Sequence, residues 1–206
     1  MRIGIDVDGV LLDTRHFMLK YGSRFFRKQP ADPAGYTLEE MFGVSGLPVL
    51  LFGMRWFLPY YCRSYPPYPD AAGVYRRLKR GGHSIYQITA RKFAMSDSPL
   101  GRYSRRALTN WLHRNGFCCD KLLLCDEKHA ADEKHRVCKK YHVSVMIDDH
   151  PVTAKKLAEH GICVLLFDAP YNRGISAENL LRVKNWREAE QSLRAHLMKK
   201  GEKNHE

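Results

Sequence analysis

Five short apolar runs recur along the chain, each about as long as a buried strand. They cover residues 2–6, 84–88, 121–125, 143–148 and 162–167. Short apolar runs bounded by turn residues are typical of strands that are covered on both faces of a sheet. The pattern therefore predicts a sheet of about five strands.

Helical periodicity appears between the later runs. Residues 102–115 place Trp111 and Leu112 on one apolar stripe, and Gly116 ends the pattern. Further helices are predicted after Asp70, from Pro151 to Gly161, and after Asn185. Strands that alternate with helices indicate an α/β fold with a parallel sheet, in which ligands bind at the carboxyl ends of the strands.

The stretch between the first and second strands is too long for one connection. Residues 14–69 contain an amphipathic segment, "HFMLKYGSRFFRK", and an aromatic-rich one, "LPVLLFGMRWFLPYYC". We predict that 14–69 forms a small inserted helical cap, while 1–13 and 70–206 form the core. The Pro-rich "YPPYPD" is interpreted as the return to that core.

Composition places the chain among ordinary globular proteins. Of its 206 residues, 44% are hydrophobic and 27% are charged. The longest apolar stretch is interrupted by Arg55 and by prolines, so no membrane span is expected. The first residues do not resemble a signal peptide, and a cytoplasmic location is the expectation.

The charge is strongly basic, with a formal net charge of +12. A basic surface attracts phosphate-bearing molecules, from small nucleotides to nucleic acids. The excess is spread along the chain, without a single basic stripe carrying interleaved aromatic residues. This argues against a dedicated nucleic-acid partner and favours a small phosphorylated substrate. The oligomeric state is left open.

The cysteines allow two interpretations. Four of them, with His129 and His135, lie between Cys118 and Cys138 and include zinc-type ligands. Their spacing is irregular and no CxxC pair occurs, so reduced, packed thiols are favoured over a zinc site.

The clearest chemical signal is "IGIDVDGVLLD" near the start of the chain. Asp6 and Asp8 are two residues apart at a strand end, so both carboxylates point to the same side. Two carboxylates this close repel each other unless a cation or a shared proton intervenes. Gly9 lets the backbone turn away, and a hard cation such as Mg²⁺ would relieve the repulsion.

Other strand ends add polar groups at the same edge. "QITAR" brings Thr89 and Arg91, and "MIDDH" brings Asp148 and Asp149. Lys134 is expected to precede a helix. Its ammonium group and the backbone amides at the start of a helix would both attract phosphate. The lysines Lys128, Lys139 and Lys140 compete with it for this role.

These segments resemble a known superfamily. "DVDGV", "TAR", the lysine and "IDD" are similar in order and placement to the four motifs of the haloacid dehalogenase (HAD) phosphohydrolases. "APYNRGISAENLLRVKNWREAEQSL" resembles the end of the branch of 5′-nucleotidases and 5′(3′)-deoxyribonucleotidases. The resemblance covers most of the chain, although the insert matches only in size and helical character. It implies a Rossmann-like HAD core.

The resemblance also implies roles for individual residues. Asp6 would be the nucleophile that forms an aspartyl-phosphate, and Asp8 the general acid and base. Thr89 and Lys134 would hold the phosphoryl oxygens.

The resemblance implies a Mg²⁺ cofactor as well. The ion would be held by Asp6, by the backbone carbonyl of Asp8 and by Asp149, with Asp148 behind them or as the alternative ligand.

The residues that recognise the substrate are the ones that the sequence identifies least clearly. Arg91 is expected either to contact substrate or to support its loop, and Trp56 and Tyr60 either to stack on a base or to fill the core of the insert. The favoured function is a Mg²⁺-dependent 5′-nucleotidase acting on nucleoside or deoxynucleoside monophosphates. The alternatives are a phosphatase for sugar phosphates or other small metabolites, a nucleic-acid 3′-end phosphatase, and a non-catalytic phosphate-binding module.

Overall fold

The core of the protein is a parallel β-sheet. The structure, a computed structural model, describes residues 1–91 and 94–202, so the last four residues of the predicted core, 203–206, lie outside the described part. Within these residues the sheet has six strands in the order β3-β2-β1-β4-β5-β6, and all pairs are parallel. The α/β prediction is confirmed.

The strands follow the predicted apolar runs closely. They are β1 (Arg2–Ile5), β2 (Ser84–Ala90), β3 (Lys121–Cys125), β4 (Val145–Asp148), β5 (Cys163–Phe167) and β6 (Leu180–Val183). The sixth strand, β6, was not predicted. It is short, lies at the sheet edge and carries Arg182, so it lacks a continuous apolar run.

The helices connect and cover the strands. They are α1 (Thr14–Phe26), α2 (Leu38–Phe42), α3 (Leu47–Phe52), a π-helical segment (Gly53–Tyr61), α4 (Cys62–Ser64), α5 (Ala71–Arg80), α6 (Pro99–Arg114), α7 (Ala130–Lys140), α8 (Pro151–Glu159), a 3₁₀ turn (Pro170–Asn172) and α9 (Trp186–Glu202). None of the helices in the described residues is long and apolar enough to cross a membrane.

The sheet is buried on both faces. In β4, Val145 and Ile147 belong to one hydrophobic cluster, and Met146 between them belongs to the other. Trp111 of α6 and Trp186 of α9 pack in the first cluster, whereas α7 and α8 supply the second. The alternation follows from successive side chains of a strand pointing to opposite faces.

The segment between β1 and α5, called the insert below, consists mainly of helices and loops. Its aromatic residues surround Phe17 of α1, whose ring centroid lies 4.6 Å from Tyr61 and 5.8 Å from Phe52. These side chains belong to the same hydrophobic cluster as Ile3 and Ile5 of β1. The insert therefore shares buried contacts with the sheet.

The cysteines give no zinc site in the described residues. Groups of three or more acidic, histidine or cysteine ligands are confined there to Asp6, Asp148 and Asp149. Cys125 and Cys138 are buried thiols whose pKa values burial raises to about 12. The interpretation as packed thiols therefore fits Cys125 and Cys138, whereas Cys118 is exposed and Cys119 is half-buried.

An ion-pair cluster joins α5 to α9. Arg77 donates from Nε and Nη2 to the two oxygens of Glu190, at 2.8 and 2.7 Å, and Arg194 adds a bond of 2.8 Å. The hydrogen bond from Arg77 is the main cause that lowers the Glu190 pKa from 4.5 to about 2.

This pairing predicts a pH-dependent contribution to stability. Because the folded-state pKa is depressed, the contribution is present above about pH 4.5 and is lost as the pH falls toward about 2. Glu190→Gln should lower the free energy of unfolding at pH 7 by about 1 kcal/mol, since both arginines are largely exposed. Urea denaturation at several pH values tests this. A difference between variant and wild type that stays constant down to pH 2 would contradict it.

Candidate active site

Three carboxylates meet at the centre of the sheet. Asp6 directly follows β1, Asp148 ends β4, and Asp149 comes next. From β1 the strand order runs outward through β2 on one side and β4 on the other, which makes this edge the place where α/β sheets bind ligands. One ligand oxygen from each aspartate lies within 4.8 Å of the others, and all three residues are buried.

Lys134 connects two of these carboxylates. Its Nζ donates to Asp6 Oδ2 at 2.8 Å and to Asp148 Oδ2 at 2.7 Å, and its side chain is 2% exposed. The prediction that Lys134 precedes a helix was wrong, because α7 begins at Ala130 and Lys134 lies inside it. Its long side chain reaches the strand ends from within the helix.

The competing lysines do not lie in this position. Lys128, Lys139 and Lys140 are exposed, the first before α7 and the other two in its last turn. Among these candidates, only Lys134 is buried against the carboxylates.

The buried charges at this centre do not balance. When all three carboxylates are ionised, the one ammonium group leaves an excess of two negative charges. Burial, with the neighbouring Asp148 and Asp8 carboxylates adding to it, raises the pKa of Asp6 to about 6 despite the opposing Lys134. Burial also holds the pKa of Asp149 well above its usual range, followed by repulsion from Asp148 and Asp6. A divalent cation would supply the missing charge.

Asp149 offers the open ligand atom. Its Oδ2 accepts a hydrogen bond from the Tyr171 hydroxyl, whereas its Oδ1 is buried and has no hydrogen-bond partner among the described residues. Asp148 is already engaged by Lys134 and by the backbone N–H of His150, at 2.9 Å. A hard cation prefers carboxylate oxygens, so this donor set fits Mg²⁺.

The loop after β1 is held rigidly. Gly9 has φ +78°, and its N–H donates to Leu12 O at 2.9 Å and Thr14 Oγ1 at 2.8 Å. Trp186 Nε1 donates to Val10 O at 2.9 Å, which ties the loop to α9. These bonds fix the backbone that presents Asp8.

Asp8 is held apart from the three clustered carboxylates. Arg91 donates from Nε to Asp8 Oδ2 at 2.9 Å and from Nη2 to Oδ1 at 2.7 Å. Burial alone would raise the pKa of Asp8, but the charge and hydrogen bonds of Arg91, the Tyr61 hydrogen bond and the charge of Lys134 together hold the pKa below its usual value. Neither of the roles considered for Arg91, contact with substrate or support of its loop, includes this ion pair with Asp8. A contact between residues 83 positions apart leaves no local signal in the sequence.

Tyr61 brings the insert to the same carboxylate. Its hydroxyl donates to Asp8 Oδ1 at 2.6 Å and lies 2.5 Å from Thr14 Oγ1. From the sequence, Tyr61 is only one of several aromatic residues in the insert. Without the fold, the sequence does not show which of the neighbouring tyrosines contacts Asp8 through its hydroxyl.

Thr89 lies on the strand beside β1. The register pairs Ile5 with Gln87, so Thr89 comes two residues later on β2, near the strand end that carries Asp6. Thr89 is fully buried, and within the described part of the chain its Oγ1 has no hydrogen-bond partner. An unpaired buried hydroxyl is costly, which is consistent with a ligand oxygen taking that position.

Trp56 and Tyr60 belong to the aromatic cluster of the insert. Their ring centroids lie 4.7 and 5.3 Å from the ring of Tyr21 on α1. Their role in substrate binding stays a prediction.

Tyr36 and Tyr171 at the mouth of the site were not singled out by the sequence analysis. Their ring centroids are 5.0 Å apart, and Tyr36 also lies 5.0 Å from the ring of His150. Tyr36 belongs to the insert and the other two residues to loops after strands. No periodicity marks such loop contacts.

Gly9 allows a sharp test of the carboxylate arrangement. A Cβ atom at Gly9 would overlap the Asp149 carboxylate, whereas one at Gly116, with φ +76°, would meet nothing within 4 Å. Both Gly→Ala variants should lose about 1 kcal/mol through the positive φ. Only Gly9→Ala should also displace Asp149 and weaken Mn²⁺ binding by about 10-fold or more.

Electron paramagnetic resonance of Mn²⁺ titrations measures this effect, and chemical denaturation checks the stability of both variants. Equal Mn²⁺ affinity in Gly9→Ala and Gly116→Ala would show that Asp149 does not depend on this close approach.

Comparison with solved structures identifies similar folds. D,D-heptose 1,7-bisphosphate phosphatase from B. bronchiseptica, solved in complex with magnesium and phosphate, matches with a TM-score of 0.56 and 12% identity, over 95% of this chain and 98% of that one. A HAD-superfamily hydrolase of subfamily IA from Geobacter sulfurreducens PCA matches with a TM-score of 0.58 and 15% identity, over 93% and 95%. At these identities the likeness establishes the fold alone.

Comparison of sequences is more specific. The Bacillus subtilis (strain 168) protein named "Putative nucleotidase YqfW" is 31% identical over 115 residues, which is 55% of this chain and 53% of that protein. The match thus spans about half the length of that relative. The family model of the 5′ nucleotidase, deoxy (Pyrimidine), cytosolic type C proteins (NT5C) matches residues 1–198. Because this match covers nearly the whole chain, the protein belongs to the NT5C family of HAD-type phosphohydrolases.

Proposed function

We propose that the protein is a Mg²⁺-dependent phosphomonoesterase that forms an aspartyl-phosphate on Asp6 and hydrolyses nucleoside or deoxynucleoside 5′-monophosphates. The observation that carries the chemistry is the buried group of Asp6, Asp148 and Asp149, in which Lys134 pairs with Asp6 and Asp148. Membership of the NT5C family supports the nucleotide as substrate. A cytoplasmic location is part of the same proposal.

Asp6, Asp149 and the backbone carbonyl of Asp8 would hold Mg²⁺. Asp149 is preferred to its neighbour Asp148 because both oxygens of Asp148 are already bonded, to Lys134 and to the amide of His150. When bound, the ion would neutralise the surplus negative charge and polarise a phosphoryl oxygen.

The chain's own residues supply the remaining steps. An oxygen of the Asp6 carboxylate attacks phosphorus, and the ester oxygen of the substrate leaves with the bonding electrons and takes a proton from Asp8. Asp8, now a carboxylate, removes a proton from water as the water oxygen attacks the phosphorus of the aspartyl-phosphate. Inorganic phosphate leaves and Asp6 is regenerated.

Lys134 and Thr89 serve the transferring phosphoryl group in this scheme. The Lys134 ammonium lies against Asp6 and would remain close to the phosphoryl oxygens throughout both steps. The buried Thr89 hydroxyl without a partner is suited to donate to one of those oxygens. Asp8 must carry a proton for the first step, so its two bonds to Arg91 have to loosen when substrate binds.

The insert would select the leaving group. Residues 14–69 are proposed to act as the cap, with residues 1–13 and 70–206 as the catalytic core. Tyr61 and Tyr36 support this role, because the insert reaches Asp8 through the first and the loop of Tyr171 through the second. A cap in this position would also exclude water from the reacting phosphate.

The nucleophile can be tested by one substitution. Asp6→Asn should lower kcat by at least about 10³-fold, because an amide oxygen is a poor nucleophile toward phosphorus. Asp132→Asn, which alters a surface carboxylate paired with Lys156, is the matched control and should retain activity. Phosphate release and circular dichroism are the measurements. A folded Asp6→Asn protein that keeps most of its activity would refute the assignment.

The substrate can be identified by assaying a panel of phosphate esters. Phosphate release should disappear with EDTA, and one nucleoside or deoxynucleoside 5′-monophosphate should exceed all sugar phosphates in kcat/KM. A preference for a sugar phosphate would instead support the metabolite-phosphatase alternative.

The two remaining alternative functions predict different experimental results. Tight, salt-dependent binding of 3′-phosphorylated DNA or RNA would favour the nucleic-acid end phosphatase. A folded protein that is inactive even on an aryl phosphate with Mg²⁺ would favour a phosphate-binding module.

A further inference from the structure

Tyr171 makes a contact with Asp149 that the proposed mechanism does not use. It lies in the 3₁₀ turn after β5, and its hydroxyl donates to Asp149 Oδ2. The other oxygen, Oδ1, is buried without a hydrogen-bond partner. The hydroxyl therefore engages one side of the carboxylate and leaves the other side open.

The turn that carries Tyr171 is fastened to the same aspartate. Asn172 Nδ2 donates to the backbone carbonyls of Asp149 and Phe167, both at 2.8 Å. Arg182 in turn donates to Asn172 Oδ1 at 2.6 Å and to Asn172 O at 2.9 Å. Asn172 is fully buried, so the position of Tyr171 relative to Asp149 is set by a closed network.

The surroundings leave the Asp149 carboxylate little freedom. Gly9 approaches so closely that a side chain there would overlap the carboxylate. On the outer side, the ring of Tyr171 packs edge-on against Tyr36, with centroids 5.0 Å apart. The backbone at Gly9 and the hydroxyl of Tyr171 thus both lie close to Oδ2 of the carboxylate.

The two adjacent aspartates differ in the charge of their donors. Asp148 Oδ2 is paired with the Lys134 ammonium, which compensates its charge. Asp149 Oδ2 receives a neutral hydroxyl, which orients the carboxylate without compensating its charge. Hydrogen bonds of this kind behind a metal-binding carboxylate orient it and tune its affinity.

We propose that Tyr171 is the positioning residue that directs Oδ1 of Asp149 toward the divalent cation and thereby selects Asp149 over Asp148 as the ligand. This inference rests on the metal site of the proposed function. Tyr171 acts through Asp149 and takes no part in bond making or breaking.

The test compares Tyr171→Phe with the wild-type protein and with Tyr36→Phe. Tyr171→Phe removes the hydroxyl and keeps the ring that packs on Tyr36. Tyr36→Phe removes a neighbouring hydroxyl that makes no hydrogen bond to Asp149 in the described structure. Mn²⁺ affinity is measured by electron paramagnetic resonance, and thermal melting in EDTA checks that all three proteins are folded.

We expect Tyr171→Phe to weaken Mn²⁺ binding by about 10- to 100-fold and Tyr36→Phe to leave it unchanged. In activity assays, Tyr171→Phe should need correspondingly more Mg²⁺ for half-maximal rate, and its kcat at saturating Mg²⁺ should approach that of wild type. Recovery at high metal separates a positioning role from general damage to the site.

Equal Mn²⁺ affinity in Tyr171→Phe and wild type would overturn this inference and leave the proposed phosphatase standing. A loss of kcat that saturating Mg²⁺ does not restore would also overturn it, since the hydroxyl would then matter beyond metal binding. A wild-type protein that binds no Mn²⁺ would overturn both the inference and the metal-dependent part of the proposed function.

Discussion

The surplus of two buried negative charges around Lys134 is the constraint on which the site depends. Asp6, Asp148 and Asp149 lie together with a lysine, backbone amides and the Tyr171 hydroxyl as their partners, and a divalent cation would compensate the remaining charge. The topology produces this arrangement directly. β1 and β4 are neighbours in the sheet, so the residues that follow or end them must meet at one edge. Asp8, two residues beyond Asp6, has its own ion-pair partner in Arg91.

The insert reaches the site at two points with different chemistry. Tyr61 contacts Asp8, the residue proposed to exchange protons, and Tyr36 packs on Tyr171, which holds Asp149. A movement of the insert would therefore affect both the acid and base carboxylate and the metal-binding carboxylate. The inserted segment also shares a hydrophobic cluster with the sheet, so it is anchored to the core at its base. In this account the insert both chooses the substrate and completes the catalytic geometry.

The sequence predicts the parts of the structure that depend on local pattern. The apolar runs locate the first five strands, and the polar residues at their ends locate Asp6, Thr89 and the Asp148–Asp149 pair. Of the four lysines considered, Lys134 is the one that contacts the carboxylates, although it lies within α7 and not before it. The Arg91 clamp, the Tyr61 contact and the Tyr171 bond could not be predicted, because each joins segments that only the tertiary fold brings together. The edge strand β6 was missed because its burial is only partial.

The central claim is that Asp6 becomes covalently phosphorylated at this edge of the sheet. Its most direct test is to quench the enzyme with acid during turnover of its preferred nucleotide, reduce the protein with borohydride and map the modified residue by peptide mass spectrometry. An acyl phosphate is reduced to an alcohol, so the account predicts homoserine at position 6 and nowhere else, and only when Mg²⁺ and substrate were both present. Reduction at another aspartate, or full turnover with no reducible adduct, would contradict it.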